Sequence, residues 1–169
     1  MTKSTRALIN LNGNEETITN IDVSNPLKPI IFCKDFSTLI VLDQKLSLLN
    51  TINVPERNLD FIETFALANG DNYWVYDNRS NSLKKLNKSL NLVYESESFL
   101  NLFSKNEISI KIIENEQNVY VLTFNGVYVF DNFSNYIKTI HLKELKDFQI
   151  LKGKLVFVSN NNFVSYNLK

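Results

Sequence analysis

Ile108-Ser109-Ile110-Lys111-Ile112-Ile113-Glu114-Asn115-Glu116-Gln117-Asn118-Val119-Tyr120-Val121-Leu122-Thr123-Phe124-Asn125-Gly126-Val127-Tyr128-Val129-Phe130-Asp131 is the stretch that decides the fold. Val119–Phe124 and Val127–Phe130 are short apolar runs on either side of Asn125-Gly126, and Ile108–Ile113 precedes them across the polar Glu114–Asn118. Runs of four to seven residues rich in Val, Ile, Tyr and Phe, bounded by turn formers, are the signature of strands. Asn-Gly between two such runs predicts a hairpin with a type I′ turn. Tyr136–His141 adds a fourth strand, so the segment reads as a meander of innermost, second, third and outer strands.

The same pattern extends in both directions. Ile62–Ala68, Tyr73–Tyr76, Leu83–Leu86 and Leu90–Tyr94 form an equivalent unit with a turn at Asn69-Gly70-Asp71-Asn72. Before it come Thr17–Val23, Pro29–Cys33, Thr38–Leu42 and Leu46–Val54, with Leu42-Asp43 standing where the later unit has Phe130-Asp131. A four-strand unit recurring at a period of about 42 residues indicates propeller blades. The expectation is therefore one all-β, β-propeller-like domain over residues 1–169, with four blades of four antiparallel strands or a portion of a larger propeller. The last unit has three strands, Phe148–Leu151, Leu155–Val158 and Phe163–Tyr166. Since an open sheet edge is costly, Ala7–Leu11 is expected to supply its fourth strand and close the ring.

Composition excludes several classes of function. The 18 Lys and Arg balance the 18 Asp and Glu, so there is no excess positive field to hold nucleic acid or an anionic membrane surface. A single Cys and a single His rule out an intrachain disulfide, a thiolate cluster and any zinc site built on two imidazoles. With 25 Asn and 4 Gly, Asn supplies most of the tight turns, because it tolerates left-handed backbone and starts Asx-turns. No stretch approaches 18 apolar residues, and Met1–Leu8 has no run of signal-peptide length. Neither membrane insertion nor a metal or other cofactor is expected, and the composition leaves the oligomeric state open.

Ile21-Asp22-Val23-Ser24-Asn25-Pro26-Leu27-Lys28-Pro29-Ile30-Ile31-Phe32-Cys33-Lys34-Asp35-Phe36, followed by Leu39–Asp43, resembles a group of poorly characterised bacterial envelope propeller proteins. Asn125–Asp131 is similar to a blade hairpin of that group. The resemblance spans about residues 17 to 169 and implies a propeller fold and a place in the cell envelope or periplasm. Members of the group usually carry an export signal and a further blade, which implies that an exported, truncated or trimmed chain would fit better than a ring of four closed blades.

The candidates for chemistry are sparse. His141 sits between Lys138 and Lys143, with no acid nearby in sequence to orient it as a general base. There is no Gly-x-Ser-x-Gly elbow to present a nucleophile. Glu95 with Glu97, and Glu114 with Glu116, have the spacing of paired carboxylates but fall at strand ends and turns, where solvated acids are ordinary. Asp71, Asp77 and Asp131 lie in turns without the spacing of a calcium loop. Cys33 reads as a buried thiol, and Tyr73, Trp74 and Tyr76 read either as packing residues or as a surface that stacks on sugar rings.

The best surface candidate is the long connection Ser96–Asn106, which carries four large apolar residues where the other links are short and polar. Phe99 and Phe103 are four apart, so one helical turn would set them side by side with Leu100 and Leu102 as a compact apolar anchor. The expected function is a non-catalytic binding or scaffold module that engages a protein partner through Phe99, Leu100, Leu102 and Phe103. The alternative is a propeller that binds a glycan or small ligand through surface aromatics.

Overall fold

Short apolar runs cut by Asn, Asp, Ser and Gly can bury themselves only by pairing with their immediate neighbours in the chain, and they do. The computed structural model describes residues 8–11, 14–54, 59, 61–142 and 145–168, of which 8–11 and 14–16 are described in backbone alone. Residues Met1–Ile62 form one compact unit and Glu63–Lys169 another.

In the first unit β1 (Leu8–Leu11) and β2 (Asn14–Thr17) make a two-stranded hairpin. β3 (Asn20–Asp22), β4 (Ile30–Cys33), β5 (Thr38–Leu42) and β6 (Leu48–Asn53) then form a four-stranded antiparallel meander. The second unit holds a meander of β7 (Ile62–Ala68), β8 (Asn72–Asp77), β9 (Ser82–Leu86) and β10 (Leu92–Glu95). A one-turn helix, α1 (Phe99–Phe103), leads to β11 (Ser109–Asn115), β12 (Asn118–Thr123), β13 (Gly126–Asp131) and β14 (Tyr136–Ile140), again in sequential order. β15 (Gln149–Leu151), β16 (Lys154–Ser159) and β17 (Asn162–Asn167) form a three-stranded sheet. The fold is all-β and propeller-like.

The repeat is 44 residues, fixed by one turn used three times. Asp43, Asn87 and Asp131 stand 44 residues apart, each between the third and outer strands of its sheet. In each, the side-chain oxygen accepts from the backbone N–H groups two and four residues on: Lys45 and Ser47 at 2.8 Å, Ser89 and Asn91 at 2.9 and 3.0 Å, Phe133 and Asn135 at 2.8 Å. The residue three positions on is left-handed: Leu46 (φ 63), Leu90 (φ 63) and Ser134 (φ 69). An acceptor on a short side chain thus forces a conformation that Leu would not choose. A β-bulge beside this turn twists the outer strand in all three sheets.

The β11–β14 sheet is packed on both faces. Val119, Val121, Tyr128 and Phe130 join Trp74, Tyr76, Leu83 and Phe99 on one side. Tyr120, Leu122, Val127 and Val129 join Ile140, Phe148 and Leu155 on the other. With two apolar faces to fill, β12 and β13 become continuous buried runs rather than polar–apolar alternations.

Two expectations need correction. β1 pairs with β2 in the register Leu8↔Thr17 to Leu11↔Asn14, and the last sheet consists of β15, β16 and β17, so β1 does not supply its fourth strand. A hairpin partner only two residues away captures β1 with far less loop to order than a strand at the opposite end of the chain. Ala7, the first residue expected in that strand, lies outside the described residues. The hairpin of the third blade turns through Phe124-Asn125, not Asn125-Gly126, and neither loop residue has positive φ, so the turn is not type I′. Gly126 instead opens β13 at φ +147, where a Cβ would stand 2.8 Å from the Ile140 carbonyl oxygen. Its glycine is demanded by the close approach of the outer strand.

Candidate functional site

The connection between the second and third sheets is built from the inside out. Ser96 Oγ accepts from the Leu83 N–H at 3.0 Å and donates to the Glu97 carbonyl at 2.8 Å, pinning the chain as it leaves β10. Ser98 caps α1 by accepting from the Leu100 N–H, and left-handed Ser104 (φ 57) ends the helix after one turn. The Phe99 N–H donates to the Asn81 carbonyl at 2.7 Å, which ties the helix to the β8–β9 turn.

One helical turn does bring Phe99 and Phe103 together, with ring centroids 5.2 Å apart, but they face inward. Phe99 is fully enclosed and meets Tyr76 at 5.1 Å, Tyr128 at 5.5 Å and Phe130 at 5.3 Å. Phe103 stacks on Tyr128 at 4.1 Å and meets Tyr136 edge-on at 5.1 Å. Leu102 is also packed against this cluster, and Leu100, 48% exposed, is the member of the set that faces solvent. The expected four-residue anchor is therefore corrected to a wedge between two sheets. Tyr76, Tyr128 and Phe130 offer a continuous ring surface that Phe99 buries at a gain of about 1.5–3 kcal/mol, and this outweighs leaving it in water.

Beneath the end of the connection lies a carboxylate that sequence reasoning missed. Glu107 is buried, and its oxygens accept from Asn125 Nδ2 at 3.0 Å and from the Tyr128 hydroxyl at 2.8 Å, with Lys105 Nζ at 3.1 Å. The Tyr76 hydroxyl donates to the Glu107 carbonyl at 2.9 Å. Burial pushes its carboxyl up, but the hydrogen bonds from Asn125, Tyr128, Lys105 and Thr123 prevail and hold it below the usual range. The Tyr128 hydroxyl is raised well above the ordinary tyrosine range, first by burial and then by its bond to Glu107. Glu107 thus staples the connection to the β12–β13 turn. An acid next to an apolar run reads as a solvated strand end, and its partners lie up to 31 residues away, so no local signal marks it.

This scaffold leaves a definite set of apolar groups in water. Ser109 pairs with Thr123 at the end of the β11–β12 ladder, and Ile108 and Phe124 each stand one residue beyond that pair. Ile108 is 48% and Phe124 66% exposed. The contacts of Phe99 with the β8–β9 turn and of Glu107 with the β12–β13 turn place Leu100, Ile108 and Phe124 at the same end of the two sheets.

Most of the remaining candidates make contacts within the sheets. Trp74 is fully buried, its Nε1 donates to Glu114 Oε2 at 2.6 Å, and Lys85 Nζ lies 4.9 Å from its ring centroid. Tyr73 packs on Phe65 and Tyr76 on Phe99, so the three aromatics considered for sugar stacking are core. Glu114 also accepts from the Asn69 side chain at 2.8 Å, and Glu95 accepts from Ser82 Oγ at 2.7 Å. Asp77 meets Lys84 Nζ at 2.5 Å. His141 is exposed just after β14, and Cys33 is a buried thiol at the end of β4. Among the described residues, three or more His, Cys, Asp or Glu side chains nowhere gather as they would around a metal ion. No helix among the described residues is long and apolar enough to cross a membrane.

No protein-family model matches the sequence, and no curated protein matches it. Solved structures do match in shape. Kluyveromyces lactis Hsv2 superposes with a TM-score of 0.65 at 10% identity, over 90% of this chain and 46% of that one. Streptogramin B lyase gives a TM-score of 0.58 at 14% identity, over 97% of this chain and 59% of that one. The computationally designed Ika4 protein gives 0.60 at 13% identity, over 98% of this chain and 100% of that one. The chain thus spans about half the length of Hsv2 and of the lyase. At these identities the likeness is one of fold: the chain is similar to β-propeller proteins, and its sheets are blades of that kind.

Proposed function

We propose that the chain is a non-catalytic β-propeller module that engages a protein partner through the loop end of its second and third sheets, in a bacterial cell envelope. The carrying observation is the exposed set of Leu100 on a connection held by Phe99 and Glu107, Ile108 just after it, and Phe124 in the β12–β13 turn to which Glu107 bonds. Apolar side chains held on a rigid base and rimmed by Asn and Ser meet the requirement for a pre-organised binding anchor, because little entropy is lost when a partner covers them. Enzymes occur on this fold, the lyase among them, so the assignment rests on the residues. One acid of each pair considered for catalysis, Glu95 and Glu114, is engaged in structural hydrogen bonds, and the aromatics considered for sugar binding are buried. The envelope location rests on the resemblance carried by Ile21–Phe36, Leu39–Asp43 and Asn125–Asp131.

The test is capture of partners from an extract of the native organism with the parent chain and with Leu100→Ser/Phe124→Ser. Both side chains are exposed, so the double variant is expected to unfold at the parent's denaturant midpoint to within about 0.5 kcal/mol while losing the captured protein. Equal capture by a folded variant would overturn the reading.

A further inference from the structure

Two Asn-Gly dipeptides occupy opposite settings, Asn69-Gly70 between β7 and β8 and Asn125-Gly126 at the start of β13. A third, Asn12-Gly13, lies outside the described residues. In both settings the side-chain amide donates to a carboxylate: Asn69 Nδ2 to Glu114 Oε1 at 2.8 Å, and Asn125 Nδ2 to both oxygens of Glu107 at 3.0 Å. The amides are held alike, so what separates the dipeptides is the backbone nitrogen that follows each of them. With no Cβ beside it, a glycine nitrogen is the one best able to approach the preceding Asn side chain. Gly70 is exposed in the turn, outside both strands, at φ +72, where the nearest atom to a Cβ would be Asn72 Nδ2 at 3.4 Å. Asn72 Nδ2 also donates to the Asn69 carbonyl at 2.9 Å, which draws electrons from the peptide bond that the Gly70 nitrogen completes. Gly126, by contrast, is buried, pairs with Thr123 in the β12–β13 ladder, and has the Ile140 carbonyl oxygen 2.8 Å from the place of a Cβ. A nitrogen fixed in a ladder beneath a neighbouring strand turns onto the Asn side chain only when the hairpin opens.

We propose that Asn69-Gly70 is a site of spontaneous deamidation in the folded chain, and that the ladder protects the identical dipeptide Asn125-Gly126. The Gly70 backbone nitrogen gives up its proton and bonds to Asn69 Cγ, and the Cγ–Nδ2 bond breaks as ammonia leaves, closing a cyclic imide. Water then adds to either imide carbonyl and breaks its bond to nitrogen, giving aspartate or isoaspartate. The net change is amide plus water to carboxylate plus ammonium, with nothing oxidised or reduced. The product puts a carboxylate where an N–H donor had met Glu114, whose other oxygen accepts from Trp74 Nε1 at 2.6 Å. Two like charges then stand at the anchor that joins the β7–β8 turn to β11, and removing one partner of such a bond costs more than the bond itself gained.

The test is a time course of the full chain at mildly alkaline pH, folded and in denaturant, followed by peptide mapping with mass spectrometry, since the two dipeptides fall in different tryptic peptides. In the folded chain Asn69 is expected to convert at least about tenfold faster than Asn125, because the second must wait for local opening. In denaturant the two are expected to convert at similar rates. Equal rates in the folded chain, faster loss of Asn125, or an Asn69 that stays intact while the unfolded chain converts would each overturn the proposal. The cost at Glu114 is read separately from Asn69→Asp, which is expected to unfold at lower denaturant than the parent. That deficit is expected to close in a Glu114→Gln background, where the new carboxylate meets an amide donor. A deficit of the same size in both backgrounds would overturn the coupling to Glu114.

Discussion

β13 and β17 are both third strands of six residues, and they read almost alike: Gly-Val-Tyr-Val-Phe-Asp and Asn-Phe-Val-Ser-Tyr-Asn. In β13 every residue before Asp131 is buried, whereas in β17 all six are exposed. The difference lies in what surrounds them. β13 has a sheet against each face and a strand along each edge, whereas β17 has one strand along one edge. Burial in a stacked-sheet protein is therefore set by a strand's place in the stack, and strand propensity says only that it will be a strand.

The contrast is sharpest between Phe99 and Phe163, which are the same residue in opposite settings. Phe99→Ala removes a ring enclosed by Tyr76, Phe103, Tyr128 and Phe130 and leaves a cavity between two sheets. It is expected to lower stability by about 3–5 kcal/mol in denaturant unfolding. A loss under about 1 kcal/mol would mean that the wedge does not hold the two sheets together.

Next in size is Glu107, a buried acid in the same region. Its folded pKa is depressed, so its stabilisation is complete above the ordinary glutamate range and is lost as pH falls through the lowered folded value. Glu107→Gln is expected to cost about 1–3 kcal/mol at neutral pH and to flatten the acid limb of the stability profile. An acid limb as steep as the parent's would assign that pH dependence to other carboxyls.

The smallest effect belongs to the exposed strand. Phe163→Ala is expected to change stability by less than about 0.5 kcal/mol. A larger loss would show that the outer face of the last sheet is covered in solution, and the contrast between β13 and β17 would then disappear.

Most of the strands were readable because alternation of apolar runs and turn formers is a local property, but the polar β2 was not expected and Thr17–Val23, read as one strand, divides between β2 and β3. Readable too were the three strands that the last unit itself contributes. The repeat was legible to within two residues, and Asp43 and Asp131 were visible as equivalents. Asn87 was hidden among 25 Asn, since its role lies in one oxygen accepting two N–H groups. The partner of β1 was misread because pairing is a competition between edges, and the sequence states only which edges exist.

What the sequence determined by itself was the all-β class, the meander order within the four-stranded units, and the exclusion of an intrachain disulfide, a thiolate cluster and a zinc site built on two imidazoles. Each follows from nearest-neighbour patterning or from a count. Only the tertiary structure decided that Phe99 and Phe103 point inward, that Trp74 bonds to Glu114, and that Glu107 is a buried staple. These outcomes depend on which faces meet across sequence separations such as 21 residues for Glu107 and Tyr128 and 40 for Trp74 and Glu114. An amphipathic turn in the sequence has an apolar side, but nothing local says whether a sheet or a partner will cover it.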